Sequence, residues 1–176
     1  NTRHNLGWLF IDALREQMSA GPWKKSAKFK GEVAQSEDKK TLLLKPHTFM
    51  NESGQSVAAA MNFYKIKPEA LLLIHDDLDL PLGSFKLQKN RGAAGHHGVE
   101  SVIESLGTKN FTRLRLGIRP LTPAKLDKNF VLDRFSATEK HLIKKTLDQA
   151  TAALLKIILN FESNSNELNF KTSFQN

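Results

Sequence analysis

At 176 residues, with 40% hydrophobic and 25% charged residues, the chain suits one globular domain with a buried core. The absence of Cys excludes disulfides and thiolate chemistry, and leaves only His and carboxylates to hold zinc. No apolar run reaches the roughly 20 residues that span a bilayer, so no membrane role and a cytoplasmic location are expected, and a formal charge of +8 favours a polyanionic partner.

Leu6, Leu9, Phe10, Ala13 and Leu14 recur at helical spacing, which predicts an amphipathic helix over 5–17 with His4 at its beginning. The apolar run Thr41–Leu44 reads as a strand ending at Lys45-Pro46. After the loop HTFMNESG, Val57, Ala60, Met61 and Tyr64 mark the core face of a second helix. Asn51 lies just ahead of that helix and could cap it, with Ser53 as competitor. Ala70–Ile74 is apolar on both faces, as in a buried parallel strand, and is expected to stop at His75-Asp76-Asp77. Phe85–Gln88 reads as a short exposed strand. The stretch RGAAGHHG, residues 91–98, sets two adjacent histidines in a loop of small residues. Beyond it, Val99, Val102, Ile103 and Leu106 have helical spacing. Leu114, Leu116 and Ile118 then alternate with Arg113, Arg115 and Arg119, which predicts a half-buried strand with a basic face. Ser136-Ala-Thr-Glu139 is a capping box opening a helix that runs to 160, with a polar tail over 161–176.

Strands alternating with helices imply an α/β fold: a single three-layer domain over 1–160, with a mostly parallel, twisted mixed sheet flanked by helices. Ligands bind beyond the carboxyl ends of the strands in such sheets, where Asn51 and Asp76 could converge. His4, His75, His96 and His97 are the candidate bases, because imidazole titrates near neutrality. An Asp beside a His fixes its tautomer and raises its basicity, so such a pair can activate water. Asn51 could donate to a developing oxyanion. Water is the expected nucleophile, since there is no Cys and no Ser in a G-x-S-x-G elbow. Two other readings stand beside these. Asp76 to Asp79 could form a solvated turn closed by Pro81, or Asp76, Asp77 and Asp79 with His75, His96 and His97 could hold a divalent ion, as in a metal-dependent phosphoesterase.

TRHN at 2–5, PHTFMNESG at 46–54, HDDLDLPLG at 75–83, GAAGHHGVES at 92–101 and FTRLRLGIRP at 111–120 occur in one order. Together they closely resemble the bacterial-type peptidyl-tRNA hydrolases. The resemblance implies hydrolysis, without metal or cofactor, of the ester between a peptide and the 3′-terminal adenosine of tRNA, by a monomer that recycles tRNA. His4 matches the family's catalytic base, Asp76 its orienting carboxylate, and Asn51 the amide that positions substrate and stabilises the intermediate. Met50 matches the residue shaping the pocket beside Asn51, and His96 the histidine bordering the substrate groove. Lys86 and Arg115 fall at positions associated with tRNA phosphate, with Lys89, Arg91 and Arg113 as neighbours. Two features depart from the family. His97 stands in the groove motif where most members have Asn, and a neutral imidazole offers a donor and an acceptor at different reach. The family also opens with a hydrophobic strand and a G-N-P-G turn ahead of T-R-H-N, whereas this chain starts at Asn1, so a truncated chain is expected. A non-catalytic RNA-binding relative is the alternative reading.

Overall fold

The computed structural model describes residues 2–122 and 129–163. Its elements are α1 (Leu6–Gln17), β1 (Lys24–Ser26), β2 (Gly31–Gln35), β3 (Leu42–Pro46), α2 (Ser53–Tyr64), β4 (Leu72–Pro81), β5 (Phe85–Lys89), α3 (His97–Leu106), β6 (Thr112–Arg119) and α4 (Ala137–Ser163). The class is α/β with mixed strand pairing flanked by helices, as the sequence implies. The strands fall in two three-stranded groups, β1-β2-β3 and β4-β6-β5. Among the described residues parallel pairing is confined to β4 with β6, whose connection passes through α3; β1, β2 and β3 pair antiparallel and β5 runs antiparallel to β6, so the mixed pairing is more antiparallel than expected. The short links after β1, β2 and β4 simply reverse the chain, whereas the path from β5 to β6, through α3, is long enough for the crossover that parallel pairing needs.

Alternation along the strands builds the layers. Leu43, Leu72 and Ile74 join a core with Leu6, Phe10 and Leu14 of α1 and Ile143, Ala150 and Leu154 of α4. Their neighbours Leu44, Leu71 and Leu73 turn to the opposite side, against Val57 and Met61 of α2 and Val102 of α3. Helix α1 contacts both β3 and β4 and so ties the two strand groups together. Its buried stripe, Leu6, Phe10 and Leu14, contributes about 1.5–3 kcal/mol per side chain.

The approach of α1 to β4 depends on Gly7. A Cβ there would lie 2.7 Å from the carbonyl oxygen of Ile74, a backbone atom that cannot swing aside. Gly7→Ala is therefore expected to destabilise the fold by about 1–3 kcal/mol through overpacking, even though Ala gains about 1 kcal/mol in helix propensity. Urea midpoints decide between these effects, and a stabilised variant would rule out the close approach.

The structure corrects several sequence expectations. Strand β4 does not stop at His75-Asp76-Asp77 but runs on to Pro81. Within it Leu72, Leu73 and Ile74 are half-buried, while His75, Asp76 and Asp77 are the buried residues. Among the described residues β4 pairs with β6 alone, so the burial expected of a central strand falls instead on β6, which has neighbours on both sides. For the same reason β6 has no exposed basic face: Arg113 and Arg115 are buried at 1% and 3% exposure, and only Arg119 is open. Tyr64, expected in the core, is exposed near the end of α2. Neither Asn51 nor Ser53 caps α2; Glu52 holds that position without a side-chain bond, and Ser53 Oγ donates to the Met50 carbonyl. Helix α4 continues to Ser163, and the remainder of the expected tail, 164–176, lies outside the described residues.

Candidate active site

His4 occupies a 3-10 turn, Arg3–Asn5, that leads into α1. The turn is held by Arg3, which is buried beside the start of α4. The Arg3 backbone N–H donates to the Asp133 carbonyl at 3.0 Å, and its Nη2 meets the two Glu139 carboxylate oxygens at 2.9 and 3.0 Å. The guanidinium also lies 4.3 Å from the Phe130 ring centroid and 4.8 Å from that of Phe135. Glu139 completes the predicted capping box, accepting from the Ser136 N–H at 2.8 Å while donating its own N–H to Ser136 Oγ at 3.3 Å. One carboxylate thus caps α4 and fixes the turn that carries His4. Sequence reasoning found the cap but not this second task of Glu139, nor the role of Arg3.

Asp76 lies in β4 with 2% exposure and receives two imidazoles. His4 Nδ1 sits 2.9 Å from Oδ1 and 3.1 Å from Oδ2, and His96 Nε2 sits 3.2 Å from Oδ1. Burial opposes ionisation of Asp76, but hydrogen bonds from His4 and His96, with their charges, outweigh it and hold the carboxyl well below the usual carboxylate range. An ionised carboxylate only accepts, so His4 must carry its proton on Nδ1 and leave Nε2 as a free lone pair. The His96 tautomer is fixed independently. His96 is the N-cap of α3, and its Nδ1 accepts from the N–H groups of Gly98 at 3.1 Å and Val99 at 3.3 Å. The proton of His96 is therefore on Nε2, pointed at Asp76.

His75 is a third imidazole beside the cluster, its ring edge-on to His96 at 4.8 Å. Its Nδ1 lies 2.6 Å from the Asp76 carbonyl oxygen, and its buried Nε2 has no partner among the described residues. Burial, with the neighbouring charge of His96, pushes its pKa down to about 3 from 6.5. Between these values the unfolded state binds the extra proton, so stability is full above 6.5 and falls as the pH drops toward 3. The slope should approach about 1.4 kcal/mol per pH unit. His75→Asn, which keeps a donor near Nδ1, is expected to flatten the urea midpoint against pH across that window; an unaltered profile would contradict it.

The other sequence candidates are placed as follows. A Cβ added at Gly98 would meet Met50 Sδ at 2.6 Å and His96 Cε1 at 3.0 Å, so Met50 lies against the start of α3 beside His96. Asn51 follows it in the 3-10 turn Met50–Glu52, exposed and with no side-chain hydrogen bond among the described residues. His97 is not brought into the cluster: its side chain is 74% exposed, with Glu100 at 3.5 Å. Arg115 forms a buried ion pair with Asp77 at 2.6 Å and bonds Gln88 at 2.9 Å, and Arg113 bonds the Gly92 carbonyl at 2.8 Å. Both guanidiniums are thus used internally, bracing β4 and the glycine-rich loop. Lys86 and Lys89 remain exposed on β5, with Arg91 partly exposed after it.

The acidic cluster of the rival metal-dependent reading does not assemble among the described residues, because Asp77 and Asp79 turn to Arg115 while Asp76 faces the histidines. His4, Asp76 and His96 bring ligand atoms within 4.8 Å of one another, a donor set of two imidazoles and a carboxylate. Those atoms are already committed to each other, and the remaining His96 nitrogen is committed to α3. An ion would have to displace these bonds.

Comparison with known proteins agrees with this geometry. The chain matches the family model described as peptidyl-tRNA hydrolase over residues 1–176. A peptidyl-tRNA hydrolase of Synechocystis sp. is 42% identical over 155 residues, covering 87% of this chain and 79% of the relative. One from Bdellovibrio bacteriovorus is 42% identical over 161 residues, covering 90% and 85%. The crystal structure of peptidyl-tRNA hydrolase from Acinetobacter baumannii superposes with a TM-score of 0.78 at 34% identity, covering 86% of this chain and 77% of the other. A buried strand carboxylate paired with the histidine of the turn before α1, on a fold and sequence shared this widely, makes the chain a member of the peptidyl-tRNA hydrolase family.

Proposed function

We propose that the chain hydrolyses the ester joining a peptide to the 3′-terminal adenosine of tRNA, as a cytoplasmic monomer that recycles tRNA and needs no metal. The carrying observation is the bond from His4 Nδ1 to Asp76, at 2.9 Å, which leaves His4 Nε2 as the open base. A water gives a proton to Nε2 as its oxygen adds to the ester carbonyl carbon. Asp76 stabilises the imidazolium this creates. The Asn51 amide, which has no side-chain hydrogen bond among the described residues, donates to the carbonyl oxygen as it becomes an oxyanion. Collapse breaks the bond to the ribose oxygen, which takes the proton back from His4, leaving a peptide acid and free tRNA. Met50 and His96 border the acyl end, with His97 further out on the rim. Lys86, Lys89 and Arg91 supply phosphate contacts, and Arg113 and Arg115 serve that surface indirectly by holding its strands and loop.

The test is release of free tRNA from purified peptidyl-tRNA with excess chelator present. Turnover unaffected by chelation is expected. Tight tRNA binding without release would instead favour the non-catalytic RNA-binding reading. Lys86→Gln should weaken tRNA binding and reduce its log-log salt slope by about 0.7–0.9, the counterion release of one phosphate contact; an unchanged slope would remove Lys86 from the tRNA path.

A further inference from the structure

The turn between β1 and β2 is fastened to α2. Phe29, at its centre, is 4% exposed and packs 5.6 Å from the Phe63 ring and 5.8 Å from that of Tyr64. Ser56, fully buried in α2, donates its hydroxyl to the Phe29 carbonyl at 2.5 Å. On this rigid base two aromatic rings face solvent, Phe63 at 53% and Tyr64 at 39% exposure, in edge-to-face contact at 4.9 Å. Cations surround them. Lys28 Nζ stands 3.4 Å above the Phe63 ring centroid, Lys30 Nζ bonds Gln55 Oε1 at 2.8 Å, and Lys65 ends α2 exposed. None of these three lysines has a carboxylate partner among the described residues.

We propose that this patch is a second RNA contact, in which an unpaired base of the tRNA stacks on Phe63 while adjacent phosphates meet Lys28, Lys30 and Lys65. It rests on the tRNA reading given above and extends it to a surface away from the reaction centre. Exposed aromatic rings set among unpaired cations suit a nucleic-acid strand, since every base has a face to stack and every linkage a charge. A protein partner would fit less well, because protein interfaces are depleted in lysine. The Lys28 ammonium occupies the ring face a base would take, and its flexible stem lets it move to a neighbouring phosphate. The placement also suits one continuous ligand. Lys30 reaches the first turns of α2, close behind Asn51, whereas Phe63 lies at the far end of the helix, about 15 Å along it.

The patch is tested by comparing the wild type with Lys28→Gln/Lys30→Gln and with Phe63→Ala, using deacylated tRNA and a short oligoribonucleotide of the tRNA 3′ end. The double variant should bind tRNA roughly 5- to 20-fold more weakly at low salt, with a log-log salt slope smaller by about 1.4–1.8. Phe63→Ala should lose about 5-fold or more. Affinity for the short oligonucleotide and kcat on peptidyl-tRNA should not change, and thermal melts show whether each variant is folded. Folded variants with unaltered tRNA affinity would overturn the proposal and leave a protein as the occupant. Equal losses on both RNAs would overturn it too, since the effect would not be local. Should the wild type bind tRNA without cleaving peptidyl-tRNA, the hydrolase reading fails alone and the patch is still judged by affinity.

Discussion

His4→Ala is expected to lower kcat on peptidyl-tRNA by roughly 10²- to 10⁴-fold, the usual worth of a positioned general base, while tRNA affinity changes little. The split follows from geometry. Among the histidines that bond Asp76, His4 is the one with a ring nitrogen left open, its side chain is only 15% exposed, and no exposed lysine attributed to phosphate binding contacts it among the described residues. Single-turnover cleavage and tRNA binding, measured separately, check this. Near-normal cleavage would remove His4 from the role of base, and a parallel loss of affinity would show that it holds substrate instead.

Asp76→Asn should be nearly as damaging, with kcat down by roughly 10²- to 10⁴-fold, through a proton placed on the wrong nitrogen. His96 must donate from Nε2, because its Nδ1 is occupied by the N–H groups of Gly98 and Val99. The Asn oxygen would therefore settle opposite His96, leaving the amide NH₂ to face His4 Nδ1. His4 would respond by moving its proton to Nε2, where it can no longer accept one from water. The pH dependence of kcat and the imidazole nitrogen shifts of His4 report this inversion. An Asn variant with unaltered His4 tautomer and full turnover would refute it.

Much of the fold was readable from apolar spacing: α1, α2, α3, the β5 strand and the start of α4 all fall where periodicity or capping placed them. Burial was less legible, because it depends on which strands acquire two neighbours. The apolar Leu72–Ile74 looked central and is half-buried, whereas the arginines of β6 looked exposed and are enclosed by Asp77, Gln88 and the Gly92 carbonyl. At the site, spacing alone proposed four histidines as bases without ranking them. Motif order singled out His4 and Asp76, and their meeting across 72 positions of sequence is a product of the close passage of α1 over β4 at Gly7. Arg3 and Glu139 left no signal of their partnership, since an ion pair 136 residues apart has no local pattern.

The N-cap of α3 has one further consequence. Because the amides of Gly98 and Val99 end on the imidazole that donates to Asp76, they are backbone reporters of side-chain proton placement. Their exchange rates and resonance positions should follow every event that alters the His96 to Asp76 bond. The state of the reacting centre could then be read, during turnover, from two main-chain nuclei that never touch the ester.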